Sequence, residues 1–232
     1  MNKKRKVVIG LSGGMDSATL LSLLLEQGYK VYCCSFIYGS KHGKYELEAA
    51  KNIIEFYKSK GRNVIHHIFN LTTCFADFQS ALLLSGPAIP EGHYEAKTMT
   101  QTIVPGRNLI FASIMAGLAE SIGATEVCLG IHAGDHFIYP DCRPQFIHSL
   151  GQTIGFSTDG KVNITTPFLF NSKADILYRG YYGVNPKVPY ELTRSCYKDQ
   201  PKACGKCGSC NERLSAFAEH SIKDPIDYEG DD

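Results

Sequence analysis

No stretch of this sequence stays apolar for the about 20 residues that a membrane-spanning helix needs, so no membrane partner is expected. Charge of one sign is also lacking: 24 Lys and Arg residues stand against 23 Asp and Glu, a formal net charge of +1. That balance leaves no broad cationic face, and nucleic acid is not the expected partner. The basic run "KKRK" at residues 3–6 is read as a solvated lead-in to the first strand. No export signal is visible, because the first apolar run, "VVIGL", is short and belongs to a strand. Internal repeats and low-complexity blocks are absent too. What remains is a chain of 232 residues, 44% of them hydrophobic. That suits one generous α/β domain, or a domain with a small appendage. Nine cysteines are many for such a chain. In the cytoplasmic, reducing compartment expected here, metal ligation comes before disulfides.

Short apolar runs alternate with helical segments. Strands are predicted at residues 6–11, 31–39, 63–71, 126–131 and 163–170, and helices at 17–30, 45–61 and 106–124, within 139–155 and at 172–183. Gly28 ends the first helix, Leu47, Ala50, Ile53, Ile54 and Tyr57 form the apolar stripe of the second, and Ser172 caps the last. The alternation argues a parallel sheet covered by helices. Residues 86–104 break it with prolines, glycines and no period, and are the candidate lid. From residue 186 Pro, Cys and Gly crowd together, and the end of the chain is acidic. The expected organisation is therefore a main domain at 1–185, a cysteine-rich segment at 186–220, and a frayed tail at 221–232.

The stretch "GLSGGMDSATL" joins the first strand to the first helix. Glycines there let successive N–H groups converge on one anion, and the helix N-terminus adds partial positive charge. Ser12, Ser17 and Thr19 supply hydroxyls. The loop holds no lysine, which speaks against γ-phosphoryl transfer. A carboxylate in a phosphate loop repels its ligand unless it sits beside Mg2+ or caps the helix, and Asp16 is expected in one of those roles. Further on, Cys196, Cys204, Cys207 and Cys210 follow the spacing C-x7-C-x2-C-x2-C. Four thiolates close together suit tetrahedral, structural Zn2+ ahead of a disulfide pair or an iron–sulfur cluster. Cys33, Cys34, Cys74, Cys128 and Cys142 are read as small hydrophobes, and His66 and His67 as structural. His132, Asp135 and His136 fall just past the fourth strand, where a ligand edge is expected and a metal trio is conceivable.

Ser-Gly-Gly-x-Asp-Ser resembles the pyrophosphate loop of the N-type ATP pyrophosphatases. That resemblance implies a Rossmann-like, doubly wound parallel α/β sheet of strand order 3-2-1-4-5, here with a small C-terminal zinc-binding segment. It implies ATP activation with pyrophosphate as leaving group. Leu11, Ser12, Gly13, Gly14, Met15, Asp16, Ser17, Ala18, Thr19 and Leu20 would cradle the phosphates, and Ser35 and Phe36 would lie by the adenine. "VPGRNLIF" (104–111), "YPDCR" (139–143) and the four-cysteine cluster occur in that order. Together they resemble the QueC family of 7-cyano-7-deazaguanine synthases, from the first strand to about Phe217. The resemblance implies a small-molecule substrate, 7-carboxy-7-deazaguanine, with ammonia as second substrate, ATP and catalytic Mg2+ as cofactors, and a homodimer. Asp16, Ser17, Lys173 and Arg107 are the expected catalytic residues. Arg107, Asn108, Asp135, Asp141 and Arg143 are the expected substrate contacts. An alternative keeps the adenylation but passes the activated acid to another amine, such as a protein amine. Enzymes that act on tRNA with the same loop fit less well, since no basic surface is evident.

Overall fold

The computed structural model describes residues 5–92 and 97–230. Residues 93–96 of the candidate lid lie outside the described residues, as do residues 3–4 of the basic run and 231–232 of the tail. Five strands, β1 (Lys6–Gly10), β2 (Lys30–Ile37), β3 (Val64–Asn70), β4 (Glu126–Cys128) and β5 (Asn163–Thr165), form one sheet. Its order is β3-β2-β1-β4-β5 and every pair is parallel, as expected. The helices are α1 (Met15–Glu26), α2 (Gly43–Ser59), α3 (Arg107–Ile122), α4 (Pro144–Ser157), α5 (Lys173–Tyr182) and α6 (Gly208–Glu219).

Alternation along the strands splits the core into two layers. Val7 and Ile9 of β1 and Val31 and Cys33 of β2 pack with α1, α2, α5 and α6. Val8, Tyr32 and Cys34 turn the other way, onto α3 and α4. Both faces are covered, which is why these strands read as continuous apolar runs. Local chemistry sets the helix ends. Gly28 leaves α1 with φ of 81°, and Gly123 ends α3 with φ of 66°. Ser172 caps α5 by accepting from the Asp175 N–H at 3.1 Å, while Asp175 accepts from the Ser172 N–H at 2.8 Å.

Three expectations are corrected. β4 and β5 stop at three residues each, because the chain leaves the ladder at Leu129 and again at Thr166. Helix α6 has no counterpart in the sequence-based assignment. The described part of the tail packs rather than frays. Asp224 is buried against Arg213, contacting Nε at 2.7 Å and Nη2 at 2.8 Å, and the Tyr228 hydroxyl donates to the same carboxylate.

Candidate active site

The order of the sheet reverses between β1 and β4, and a cavity of about 260 Å³ opens at the carboxyl ends of the central strands. That crevice is where an open parallel sheet takes its ligands. Leu11, Ser12, Gly14, Asp16 and Ser17 line it. Gly13 has φ of 87°, and a Cβ there would fall 2.5 Å from the Glu46 carbonyl oxygen, so the turn requires glycine. The Ser17 hydroxyl donates to the Gly14 carbonyl at 3.1 Å, and the Gly14 N–H donates to Ser12 Oγ at 3.2 Å. Helix α1 begins with Gly14 at its N-cap and no side-chain cap, leaving its first N–H groups for an anion. Met15, Ala18 and Leu20 are in the core, and Thr19 is buried against the Tyr190 hydroxyl at 2.8 Å. Their side chains do not line the cavity.

Asp16 lies in the first turn of α1, which removes the capping alternative. Its Oδ2 is 3.2 Å from Lys173 Nζ, and its Oδ1 is buried with no hydrogen-bond partner. Lys173 is itself buried and also meets Glu212 at 2.7 Å. Burial opposes its charge, but Asp16, Glu212 and Asp135 outweigh burial and hold its pKa above the ordinary lysine value. His132 is buried beside them. Its Nδ1 accepts from the Gly134 N–H, so the proton is assigned to Nε2. Nε2 faces Asp16, Asp135 and Glu212 at 3.8, 3.6 and 3.7 Å. The structure thus joins Asp16, Asp135 and Lys173, and adds His132 and Glu212. An orphaned carboxylate oxygen beside an anion-binding loop fits a Mg2+ ion held by Asp16 and phosphate oxygens.

Across the cavity, Ser35 Oγ donates to the Leu11 carbonyl at 2.6 Å and meets His66 Nε2 at 2.8 Å. Burial first, then Lys58 and Lys51, lowers the His66 pKa to about 4, so this histidine is neutral and structural, as expected. Phe36 stacks on Phe111 with centroids 4.0 Å apart, and both line the cavity with Met115 and Ile131. Arg107 lines it too, near the Tyr38 hydroxyl and 5.9 Å over the Tyr139 ring. No carboxylate forms an ion pair with Arg107 among the described residues.

The other expected substrate contacts divide. Asn108 lines the cavity, but its side-chain amide donates to the Asp141 carbonyl at 3.2 Å and to Cys142 Sγ at 3.1 Å. Asp141 accepts from the Asn108 N–H at 3.0 Å, and Arg143 Nε donates to the His136 carbonyl at 3.1 Å. Neither Asp141 nor Arg143 lines the cavity. They brace the corner below it. Glu212, Arg194, Ser195 and Tyr197 are site residues or neighbours that the sequence reading missed, and all come from the cysteine-rich segment.

That segment carries a four-cysteine metal-binding site. The sulfurs of Cys196, Cys204, Cys207 and Cys210 lie within 4.8 Å of one another and are buried. Cys204 and Cys210 sulfurs are 4.0 Å apart, too far for a disulfide bond. An Sγ–Sγ edge of about 3.8 Å follows from tetrahedral geometry with Zn–S bonds of about 2.3 Å. Backbone N–H groups of Cys204, Lys206 and Cys207 donate to cluster sulfurs at 3.3, 3.5 and 3.3 Å, a shell that stabilises thiolates. Among the described residues no other group of three or more His, Cys, Asp or Glu side chains is close enough to share an ion. The His132, Asp135 and His136 trio is therefore set aside.

A parallel sheet with this crevice, this lysine-free glycine loop and an uncapped α1 defines an ATP-using enzyme of the pyrophosphate-loop class. The family model described as queuosine biosynthesis protein QueC matches residues 6–221, and the chain belongs to that family. It is 42% identical to a 7-cyano-7-deazaguanine synthase of Pseudoalteromonas atlantica over 225 residues, covering 97% of this chain and 99% of the relative. It is 45% identical to the protein of the same name from Caldicellulosiruptor saccharolyticus, again over 225 residues, covering 97% and 96%.

Proposed function

We propose that this chain converts 7-carboxy-7-deazaguanine and ammonia into 7-cyano-7-deazaguanine with two molecules of ATP. The observation that carries the reading is end-to-end similarity to synthases of that name, joined to the pyrophosphate loop at the crevice. The protein-amine alternative is not favoured by relatives named for the nitrile product.

The residues divide the work as follows. The substrate carboxylate attacks the α phosphorus and pyrophosphate leaves, held by the loop N–H groups with Ser12 and Ser17. Lys173 offsets charge that develops on the α phosphate. Asp16 would hold Mg2+, which would supply positive charge against the phosphates. Ammonia displaces AMP to give the amide. The amide oxygen attacks the α phosphorus of a second ATP and pyrophosphate leaves, and loss of AMP and two protons then leaves the nitrile. Ser35 and Phe36 flank the adenine, and Asp135 holds His132 in place beneath the phosphates. Water must be kept from the adenylate throughout. The cysteine site holds structural Zn2+, and the segment at 186–220 is an appendage of the domain at 1–185. Family resemblance alone supports a cytoplasmic homodimer.

Arg107 is assigned to the carboxylate of the acid. It is a permanent cation on the cavity wall with no carboxylate at ion-pair distance among the described residues, Asp141 acting on it only at longer range. Since the acid is charged and the amide is not, Arg107→Gln should separate the two half-reactions. The KM for the acid should rise about tenfold or more, as expected for a lost charged hydrogen bond, while the KM for amide supplied as substrate moves little. Equal losses for both would place Arg107 on a group that the two substrates share. The reaction itself is tested by incubating the protein with Mg-ATP, ammonium and 7-carboxy-7-deazaguanine and reading products by mass spectrometry. Nitrile and AMP are expected. ADP, or no change in the base, would refute the proposed reaction.

A further inference from the structure

We infer that Glu212 is a positioning residue which shares Lys173 with Asp16 and so keeps that carboxylate open for the divalent cation of Mg-ATP. The inference rests on the adenylation reading of the loop. It concerns a residue whose place in the site comes from its fold and not from any motif.

Lys173 Nζ has two acidic neighbours of unequal reach, Glu212 at 2.7 Å and Asp16 at 3.2 Å. The shorter contact is with Glu212, an ion pair without hydrogen-bond geometry, since Oε2 is itself buried with no hydrogen-bond partner. Asp16 meets the lysine through Oδ2 alone, and its Oδ1 is unpartnered and buried at the edge of the phosphate loop. His132 adds to the arrangement, because its Nε2 spans the carboxylates of Asp16, Asp135 and Glu212 without closing on any one of them. Three carboxylates around a single lysine leave the group short of positive charge, which favours a cation brought in with the nucleotide. Were Glu212 neutral, the ammonium would have one strong partner left. It would settle on Asp16 and compete with the incoming cation for the same oxygens.

Glu212 can do this because of where it sits. It lies in the first half of α6, two residues after Cys210 and five after Cys207, so the cysteine cluster fixes the helix that presents it. Asn211, its neighbour, pins the same turn by donating to the Gly92 carbonyl at 2.8 Å. Arg213, on its other side, is fully buried and bonded to Asp224 and to the Tyr190 carbonyl. Such a braced turn leaves the Glu212 carboxylate little freedom.

The test is ATP binding by calorimetry across a magnesium titration, with no acid substrate present. It uses the wild-type protein, Glu212→Gln and Glu212→Asp. Glutamine keeps the shape and removes the charge. The Mg2+ concentration that half-saturates ATP binding should rise about tenfold in Glu212→Gln, as for loss of one partner of a buried ion pair. Binding should return at high Mg2+, and Glu212→Asp should fall between the two. Bound cysteine-site metal per chain and the thermal midpoint should match wild type. An unchanged Mg2+ dependence in Glu212→Gln would overturn the inference, and so would a loss that tracks falling midpoint and metal content and that Mg2+ cannot rescue. A wild-type protein that binds no Mg-ATP would instead sink the adenylation reading beneath it.

Discussion

Replacing Asp16 by alanine should abolish AMP release, by about a thousandfold or more if the residue holds the catalytic cation, while the protein remains folded. Asp16 stands in the first turn of α1, facing the crevice, and its Oδ1 has no protein partner to lose. The group that would suffer is Lys173, but it keeps Glu212 at 2.7 Å and so is not left as an unpaired buried charge. The cost in stability should therefore be small, and circular dichroism and cysteine-site metal content should match wild type. Asp16→Asn is the stricter variant, since it keeps the volume and removes the charge. Normal turnover in either variant would show that the loop works without this carboxylate, and the role given to Asp16 would be wrong.

The centre of the fold was legible because its chemistry is local. Strands β1, β2 and β3 are apolar runs, α2 carries a clean stripe, and Ser172 with Asp175 closes a capping box. The phosphate loop is equally local, since Gly13 and the uncapped start of α1 lie within a few residues of each other. The errors have a common cause. Ile131 and Phe168 are apolar and buried, so they read as strand, yet they lie past the ladder, which closes with the Leu129 N–H donating to the Thr165 carbonyl at 2.9 Å. Helix α6 was hidden because ligand spacing dominates its first turn, and the long Arg213 occupies a buried position that usually reads as solvent-facing. Asp224 misled in the same way, since an acidic tail residue is expected in water unless its buried partner is known. Glu212 could not be placed at all without the fold. Its partners Asp16, His132 and Lys173 come from three separate elements, and nothing in "CNERL" points to them. Asp141 and Arg143 are placed differently. Their motif drew attention to a corner that braces the site from outside the cavity.

Cys207→Ser should cost the protein its cysteine-site metal and, with it, the nucleotide site. Serine is a poor ligand for a soft thiolate site, so elemental analysis should show metal per chain falling steeply. Cys207 is fully buried and is the N-cap of α6, and it pairs across a bridge with Glu91. The small cluster around the cysteines has few apolar residues of its own, chiefly Ala203 and Tyr228, so the metal carries much of its folding energy. At roughly 2–4 °C per kcal/mol for a chain of this size, a loss of several kcal/mol should lower the thermal midpoint by about 10 °C or more. The sheet should survive, because β1 to β5 and their helices are built on separate apolar clusters. The nucleotide site should not. Once α6 loosens, Glu212 leaves Lys173, and Arg194, whose N–H donates to the Gly13 carbonyl at 2.8 Å, loses its anchor on the loop. Mg-ATP binding should therefore weaken in the same variant that loses metal, though none of the four cysteines lines the crevice. Full metal occupancy would remove Cys207 from the ligand set. Metal loss with intact Mg-ATP binding would keep the ligand set and show that the cluster does not support the phosphate loop.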